Sequence, residues 1–224
     1  MPLNIADLRE DYRLAALDIS DVDKNPFVQF EKWFQEAVNS AILEPNAMVL
    51  ATISRGNTPS ARVVLLKGVQ NPEDKDADLS AGFVFFTNYE SRKGQELATY
   101  AHAALCFNWL DLQRQVRIEG SVKKVSEQQS DAYFESRPFK SQVGAWASPQ
   151  SQIIENRAIL TENMEKITQK YENTEGVPRP PHWGGYIVEP TMIEFWQGRR
   201  SRLHDRICYV KMPDGAWKIE RLAP

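Results

Sequence analysis

Apolar residues recur at helical spacing in one early stretch of the chain. Phe27, Phe30, Trp33, Phe34, Ala37, Val38 and Ala41 share a face of a helix that Asn25-Pro26 opens and Glu44-Pro45-Asn46 ends. Proline in the first turn suits such a start. Ahead of it, residues 3–17 are charged and form at most a short helix that little holds down, so residues 1–20 read as a mobile N-terminal segment. After Asn46 the period changes. Ala47–Ser54 is apolar and β-branched, Arg55-Gly56-Asn57 is a turn and Ser60–Val69 is a second strand, which together predict a hairpin. The polar run Gln70 to Ser80 reads as an exposed loop.

Gly82–Thr87 is the next strand, and Ser91 starts a short helix that carries Arg92 and Lys93. Ala103–Trp109 and Gln115–Val125 predict a further strand pair. Ser126–Ser136 reads as a helix that stops at Arg137-Pro138, because the residue before proline disfavours the α conformation. Ser148-Pro149-Gln150 begins a longer helix reaching about Tyr171, and residues 178–181 form a stiff connector. Gly185–Val188, Leu203–Val210 and Trp217–Arg221 are the late strands, with Pro213-Asp214-Gly215 as the last turn. No repeat or linker divides the chain, so residues 1–224 are expected to form one α+β domain, mainly antiparallel β and barrel-like, with peripheral helices.

Charge narrows the function. With 27 basic and 30 acidic residues the net charge is −3, so no global field draws the chain to nucleic acid or to an anionic membrane. Any anion site must come from local placement of cations. No apolar run approaches the ~18–20 residues of a membrane helix, and the N-terminus lacks the apolar core of a signal peptide. Cys106 and Cys208 both lie in apolar stretches and read as free buried thiols. A cytoplasmic, soluble protein is expected. His102, His182 and His204 are scattered and no Cys-x-x-Cys occurs, so no metal site is expected. No Gly-rich dinucleotide loop is present either, so a redox cofactor would not be held by a Rossmann unit.

Four stretches could carry chemistry. Residues 194–206 hold Trp196, Arg199, Arg200, Arg202, His204 and Arg206. If 202–206 is a strand, alternation puts Arg202, His204 and Arg206 on one face, two anion grips around a titratable group. By itself such a cluster fits a solvated face at least as well. Arg62-Val63-Val64-Leu65-Leu66-Lys67 has a cation at each end of an apolar strand. Phe86 to Lys93 runs from a strand into a helix start with hydroxyls and cations, either an anion site or a Ser-capped surface helix. Tyr133, Arg137 and Ser141, four apart, could grip a phosphate; Arg137 could equally be a helix C-terminal cation.

These pieces, in this order, resemble the pyridoxine/pyridoxamine 5'-phosphate oxidase family. Arg62–Lys67, Ser91-Arg92-Lys93, Arg114-Gln115-Val116, Ser136-Arg137-Pro138, Ser141 to Trp146, Phe195 to Gly198, Arg202 to Arg206 and Trp217 to Pro224 carry the likeness, which runs from about Ile5 to the C-terminus. The resemblance implies an FMN-binding split β-barrel and a homodimer with FMN at the subunit interface. It implies oxidation of pyridoxine 5'-phosphate or pyridoxamine 5'-phosphate to pyridoxal 5'-phosphate, by hydride transfer from C4' to flavin N5, with O2 reduced to H2O2. Arg62, Val63, Val64, Leu65, Leu66, Lys67, Phe86, Thr87, Arg92, Lys93 and Gln115 match FMN contacts of one subunit, and Gln150, Ser151, Trp196 and Arg206 those of the other. Lys67, Tyr133, Arg137 and Ser141 match the substrate-phosphate grip, Arg202 and His204 the pair at the reacting end, and Arg9 and Tyr12 a covering segment. The chain departs from the family pattern at Glu10, Glu44, Arg199-Arg200 and in the length of the acidic loop. A split-barrel relative that reduces something else, a carrier of pyridoxal phosphate and a nucleic-acid module are the rival readings.

Overall fold

A computed structural model of the chain describes residues 12, 14–73 and 81–224. The predicted amphipathic helix is α1 (Pro26–Asn39). The Asn25 side chain accepts from the Phe27 N–H at 2.9 Å, which satisfies one of the free donors of the first turn. Phe27, Phe30, Trp33 and Ala37 are buried, as their spacing requires. Residues 12 and 14–18 are in neither helix nor strand, and residues 3–11 and 13 of the expected N-terminal helix lie outside the described residues.

The hairpin forms as β1 (Ala47–Ile53) and β2 (Pro59–Leu65), but the second predicted strand breaks at Leu66-Lys67 before β3 (Gly68–Gln70). The reason is a change of partner: β2 belongs with β1, whereas β3 pairs with β4 (Gly82–Asn88). Lys67 sits at that corner, its N–H bonded to the Val84 carbonyl at 2.8 Å. β4 leads into α2 (Arg92–Thr99), capped by the Ser91 hydroxyl on the Gly94 N–H. Glycine is required at 94, because a Cβ there would overlap the Tyr89 backbone carbonyl. That close approach fixes the helix start, and with it Arg92 and Lys93, against the end of β4.

β5 (His102–Trp109) and β6 (Arg114–Lys124) follow the expected pairing, and Ser126 caps α3 (Glu127–Glu135). Two corrections come next. Pro138 follows the end of one helix and opens an unexpected second one, α4 (Phe139–Ala147), which holds Ser141. The longer helix starts at Ala158, not at Ser148, as α5 (Ala158–Tyr171). Ser151 takes φ 71°, a left-handed conformation no helix continues through, and Ile153 is fully exposed.

β7 (Trp183–Gln197) is far longer than the strand expected over 185–188. It pairs with β4 over 183–188 and with β8 (Asp205–Lys211) over 192–197, so Pro190 falls where the partner on that edge changes. β9 (Trp217–Arg221) pairs with β8. Hydrogen bonding orders the strands β2-β1-β5-β6-β7-β4-β3, with β8 on β7 and β9 on β8. This mainly antiparallel α+β architecture agrees with the split barrel implied by the resemblance.

The chain clusters into two compact units. One holds α1, residues 104–119 and residues 190–224. Its core is aromatic: Phe30 meets Phe107 at 5.1 Å, Trp33 meets Phe195 at 5.2 Å and Phe195 meets Tyr209 at 5.6 Å. The other holds the described residues of 50–103 and residues 120–189, with Phe134, Val143, Val177 and Trp183 as one buried cluster. Cys208 is buried and Cys106 half-buried, both as free thiols. Among the described residues no helix is long and apolar enough to cross a membrane.

Candidate active site

Within the second unit a cleft of about 590 Å³ collects residues from six elements. Arg62, Val63, Val64 and Leu65 reach it from β2, Lys67 from the corner after β2, Phe86 and Thr87 from β4, and Lys93 from α2. Tyr133 comes from α3, Arg137 from the α3–α4 junction, Ser141 from α4 and Gln150 from the following turn. These twelve were all expected site residues. Leu66 is buried and does not line the cleft, and neither Arg92 nor Ser151 does so. Asn88, Pro138 and Trp183 line it without having been expected as site residues.

The cations of this group are not equivalent. Arg62 is committed inside the protein: its guanidinium donates to the Leu50 carbonyl, the Thr52 and Ser60 hydroxyls, and to Glu96 at 3.0 Å. Arg92 donates through Nε to the other oxygen of the same carboxylate, at 2.9 Å. Glu96 is itself buried and accepts a further bond from Thr52. Burial alone would raise its pKa; the bonds from Thr52, Arg92 and Arg62 outweigh that and hold it below the usual carboxylate value. Glu96 was missed in the sequence, although its place four residues after Arg92 on one helix was a usable signal.

Lys67, Lys93 and Arg137, in contrast, have no carboxylate partner among the described residues. Lys67 is exposed, its ammonium 6.0 Å from the Tyr133 ring centre. Lys93 donates to the Gln150 amide oxygen at 2.9 Å; burial lowers its pKa, helped by Arg62 and opposed by Glu96. The Gln150 oxygen also lies 3.5 Å from the Thr87 hydroxyl, so this residue, expected from the other subunit, sits on the same chain's cleft. Arg137 Nη1 is buried with no hydrogen-bond partner, and burial lowers the guanidinium pKa. An unpaired buried guanidinium donor is costly unless a ligand uses it.

The first unit holds the rest. His204 packs against Trp196, with ring centres 4.6 Å apart, and Tyr12 stands edge-on to both at 5.8 Å. Arg9 lies outside the described residues. The expected alternation of 202, 204 and 206 does not form. β8 begins at Asp205, and Ser201 and Arg202 take left-handed φ of 58° and 61°. Arg202 is therefore exposed, while Arg206 lies in the strand with Nε and Nη2 on Glu194, each at 2.9 Å. His204 Nδ1 accepts the Arg199 backbone N–H at 3.1 Å, which requires that nitrogen to be unprotonated and leaves Nε2 to carry the proton of the neutral ring. Burial lowers its pKa, with Arg202 acting the same way and Asp205 against it. Gln115 is half-buried on β6.

The family model described as pyridoxamine 5'-phosphate oxidase matches residues 34–171, and that of the pyridoxine 5'-phosphate oxidase C-terminal dimerisation region matches residues 183–224. The chain belongs to the pyridoxamine 5'-phosphate oxidase family. Proteins named pyridoxine/pyridoxamine 5'-phosphate oxidase from Cyanothece sp. and Nostoc punctiforme are 54% and 56% identical to it over 100% of both chains. One from Paraburkholderia phymatum is 56% identical over 98% of this chain and 99% of its own. Among solved structures, PhzG of Burkholderia lata in complex with tetrahydrophenazine-1-carboxylic acid superimposes with a TM-score of 0.85 at 26% identity, covering 96% of this chain and 100% of that one. A pyridoxamine 5'-phosphate oxidase-related FMN-binding protein of Nostoc punctiforme shares the fold, with a TM-score of 0.68 at 15% identity over 91% and 100% of the two chains. Lys67, Lys93 and Arg137 all lie within residues 34–171, the stretch that the first of these models matches.

Proposed function

We propose that this protein is the cytoplasmic FMN-dependent oxidase that converts pyridoxine 5'-phosphate or pyridoxamine 5'-phosphate to pyridoxal 5'-phosphate, with O2 reduced to H2O2. The observation that carries this reading is a single cleft in which Lys67, Lys93 and Arg137 lack carboxylate partners and Tyr133 and Ser141 stand beside them. Two phosphate-bearing ligands, each carrying about −1.5 to −2 charge, suit a cleft whose cations are held open. The residues present also fit a flavin phosphate, since Lys93 lies at a helix start with only neutral partners, Gln150 and Ser91.

When bound, FMN supplies a two-electron acceptor that O2 can reoxidise. The chain's own residues bind and orient. Lys67, Tyr133, Arg137 and Ser141 hold the substrate phosphate, while Arg62 to Leu66, Phe86, Thr87, Arg92, Lys93 and Gln115 frame the cofactor. Gln150, Ser151, Trp196 and Arg206 complete that frame in a homodimer, a state in keeping with the dimerisation region matched at residues 183–224. Arg202 and His204 place the substrate and manage the proton released by its alcohol or amine as C4' loses hydride, which neutral His204 accepts once its Nδ1 lone pair is released from the Arg199 N–H. Arg9 and Tyr12 cover the bound substrate. With the amine, hydrolysis of the imine yields the aldehyde and ammonia.

The decisive experiment is an absorbance spectrum of the purified protein, followed by anaerobic pyridoxine 5'-phosphate and then air. Flavin bands that bleach with substrate and recover with air, with release of the aldehyde, support the reading. Flavin that ignores the vitamer but is reduced by a reduced phenazine carboxylic acid would overturn it. A second expectation concerns His204→Asn, which should lower kcat by about 10²-fold. In the wild type, falling pH protonates His204 below the ordinary histidine value and removes its proton-accepting form, so activity drops on the acid side. The pH–rate profile of the variant should lack that limb.

A further inference from the structure

We propose that Trp183 is a positioning residue for the substrate-phosphate arginine: it holds the Arg137 guanidinium against an aromatic face, which leaves the arginine's N–H donors for the ligand. This rests on the reading of Arg137 as part of the phosphate grip. The centre of the guanidinium lies 4.6 Å from the Trp183 ring centre and 5.6 Å from that of Phe134. A cation–π contact uses the flat face of the guanidinium, whereas hydrogen bonds leave in its plane. An aromatic wall therefore offsets part of the burial cost without occupying a donor. A carboxylate in the same place would occupy donors and cancel the charge a phosphate must meet. The unpartnered, buried Nη1 of Arg137 is what this arrangement produces.

Trp183 is itself held from several directions. Only 7% of it is exposed, and it lines the cleft beside Arg137. Its N–H donates to the Pro180 carbonyl at 3.0 Å, and its carbonyl accepts from Arg179 Nη1 at 2.7 Å. Arg179 in turn is paired with Asp131 on α3, the helix that ends just before Arg137. The indole meets Phe134 edge-on at 5.1 Å and lies nearly parallel to Phe86 and Tyr133, at 13° and 7°. The backbone anchor of the tryptophan and the helix that delivers the arginine are thus tied together through Arg179. The tie fixes the backbone of Trp183 relative to α3, from whose end Arg137 projects.

The test uses the FMN-loaded enzyme and equilibrium binding of pyridoxal 5'-phosphate and of unphosphorylated pyridoxal, read from the flavin spectrum. Trp183→Leu should weaken the phosphorylated ligand by about 3- to 30-fold, the range of one partly desolvated cation–π contact. The unphosphorylated ligand should change far less, and Trp183→Phe should recover most of the loss. In an Arg137→Ala background, either tryptophan substitution should add nothing further. Equal weakening of both ligands, or a penalty that persists without Arg137, would show a mere wall and overturn the proposal. If Trp183→Leu does not fold, Trp183→Phe decides alone, by a smaller phosphate-specific loss that vanishes without Arg137. A wild-type enzyme with no preference for the phosphorylated ligand would remove the underlying reading instead. An unchanged preference in both variants would remove only the role of Trp183.

Discussion

Arg137→Ala is expected to raise the KM for pyridoxine 5'-phosphate by about two to three orders of magnitude while leaving the stability of the protein unchanged or higher. The functional half follows from charge-assisted hydrogen bonds, worth roughly 1.5–3 kcal/mol each. Loss of two such bonds to a phosphate is about 3–6 kcal/mol, and the lower part of that range gives two to three orders of magnitude at about 1.4 kcal/mol per tenfold. The stability half follows from the ligand-free state of the side chain. Arg137 has a buried Nη1 with no partner, and burial already pushes its pKa down, so the folded protein gains little from the charge. Its contacts with Trp183 and Phe134 offset that cost, which keeps the net change small. Steady-state kinetics and denaturant unfolding of the same preparation check both halves. A KM within threefold of wild type would remove Arg137 from the grip. Destabilisation comparable to a core truncation would make the residue structural.

Glu96→Gln should produce the opposite pattern, a large loss of stability at neutral pH. Glu96 is a buried carboxylate bonded to Thr52, Arg62 and Arg92, and the Arg62 side chain is only 19% exposed. Breaking one partner out of such a pair costs about 3–5 kcal/mol, because the remaining charge stays buried without compensation. The lower end is expected here, since Arg62 keeps its bonds to Leu50, Thr52 and Ser60. The sign with pH is fixed by the direction of the shift. A carboxyl whose folded pKa lies below its unfolded value contributes stability that is fully present above the unfolded value, and this is lost as pH falls through the folded value. The gap between wild type and variant should therefore be widest at neutral pH, begin to narrow near 4.5, the ordinary glutamate value, and close only below the lower folded value. Urea denaturation at a series of pH values measures it. A gap independent of pH would mean that the carboxylate charge contributes nothing.

The contrast between these two residues explains why arginine counting is a poor guide to a site. Arg62, Arg92, Arg137, Arg202 and Arg206 look alike in the sequence, yet two share Glu96, one is clamped by Glu194, one is exposed and one is half-buried with a buried donor to spare. Only the last has the state of a waiting anion grip without further rearrangement. The resemblance pointed to stretches that converge on one cleft because it relies on residue order along the chain, which is local information. It carried no information on which guanidinium is already neutralised.

Local periodicity and local capping were legible in the sequence. The 3.6-residue recurrence from Phe27 to Ala37 marks the buried face of α1, Ser91 and Ser126 mark helix starts, and the apolar runs mark β1, β4, β5 and β6. These features follow from steric and hydrogen-bonding preferences within one or two turns of chain. The inventory of cleft residues was legible as well, since twelve of the expected positions do converge. Features set by distant partners were not. β7 runs through Pro190 because its neighbour changes from β4 to β8 there, and β2 breaks at Lys67 because β3 joins β4. Ser201 and Arg202 adopt left-handed backbone where alternation implied a strand. The charge state of the site depends on pairs such as Arg62 with Glu96 and Arg206 with Glu194, brought together by helix and sheet packing rather than by adjacency. Burial and ion pairing are properties of the assembled fold, and only the tertiary structure could decide which cations remain available.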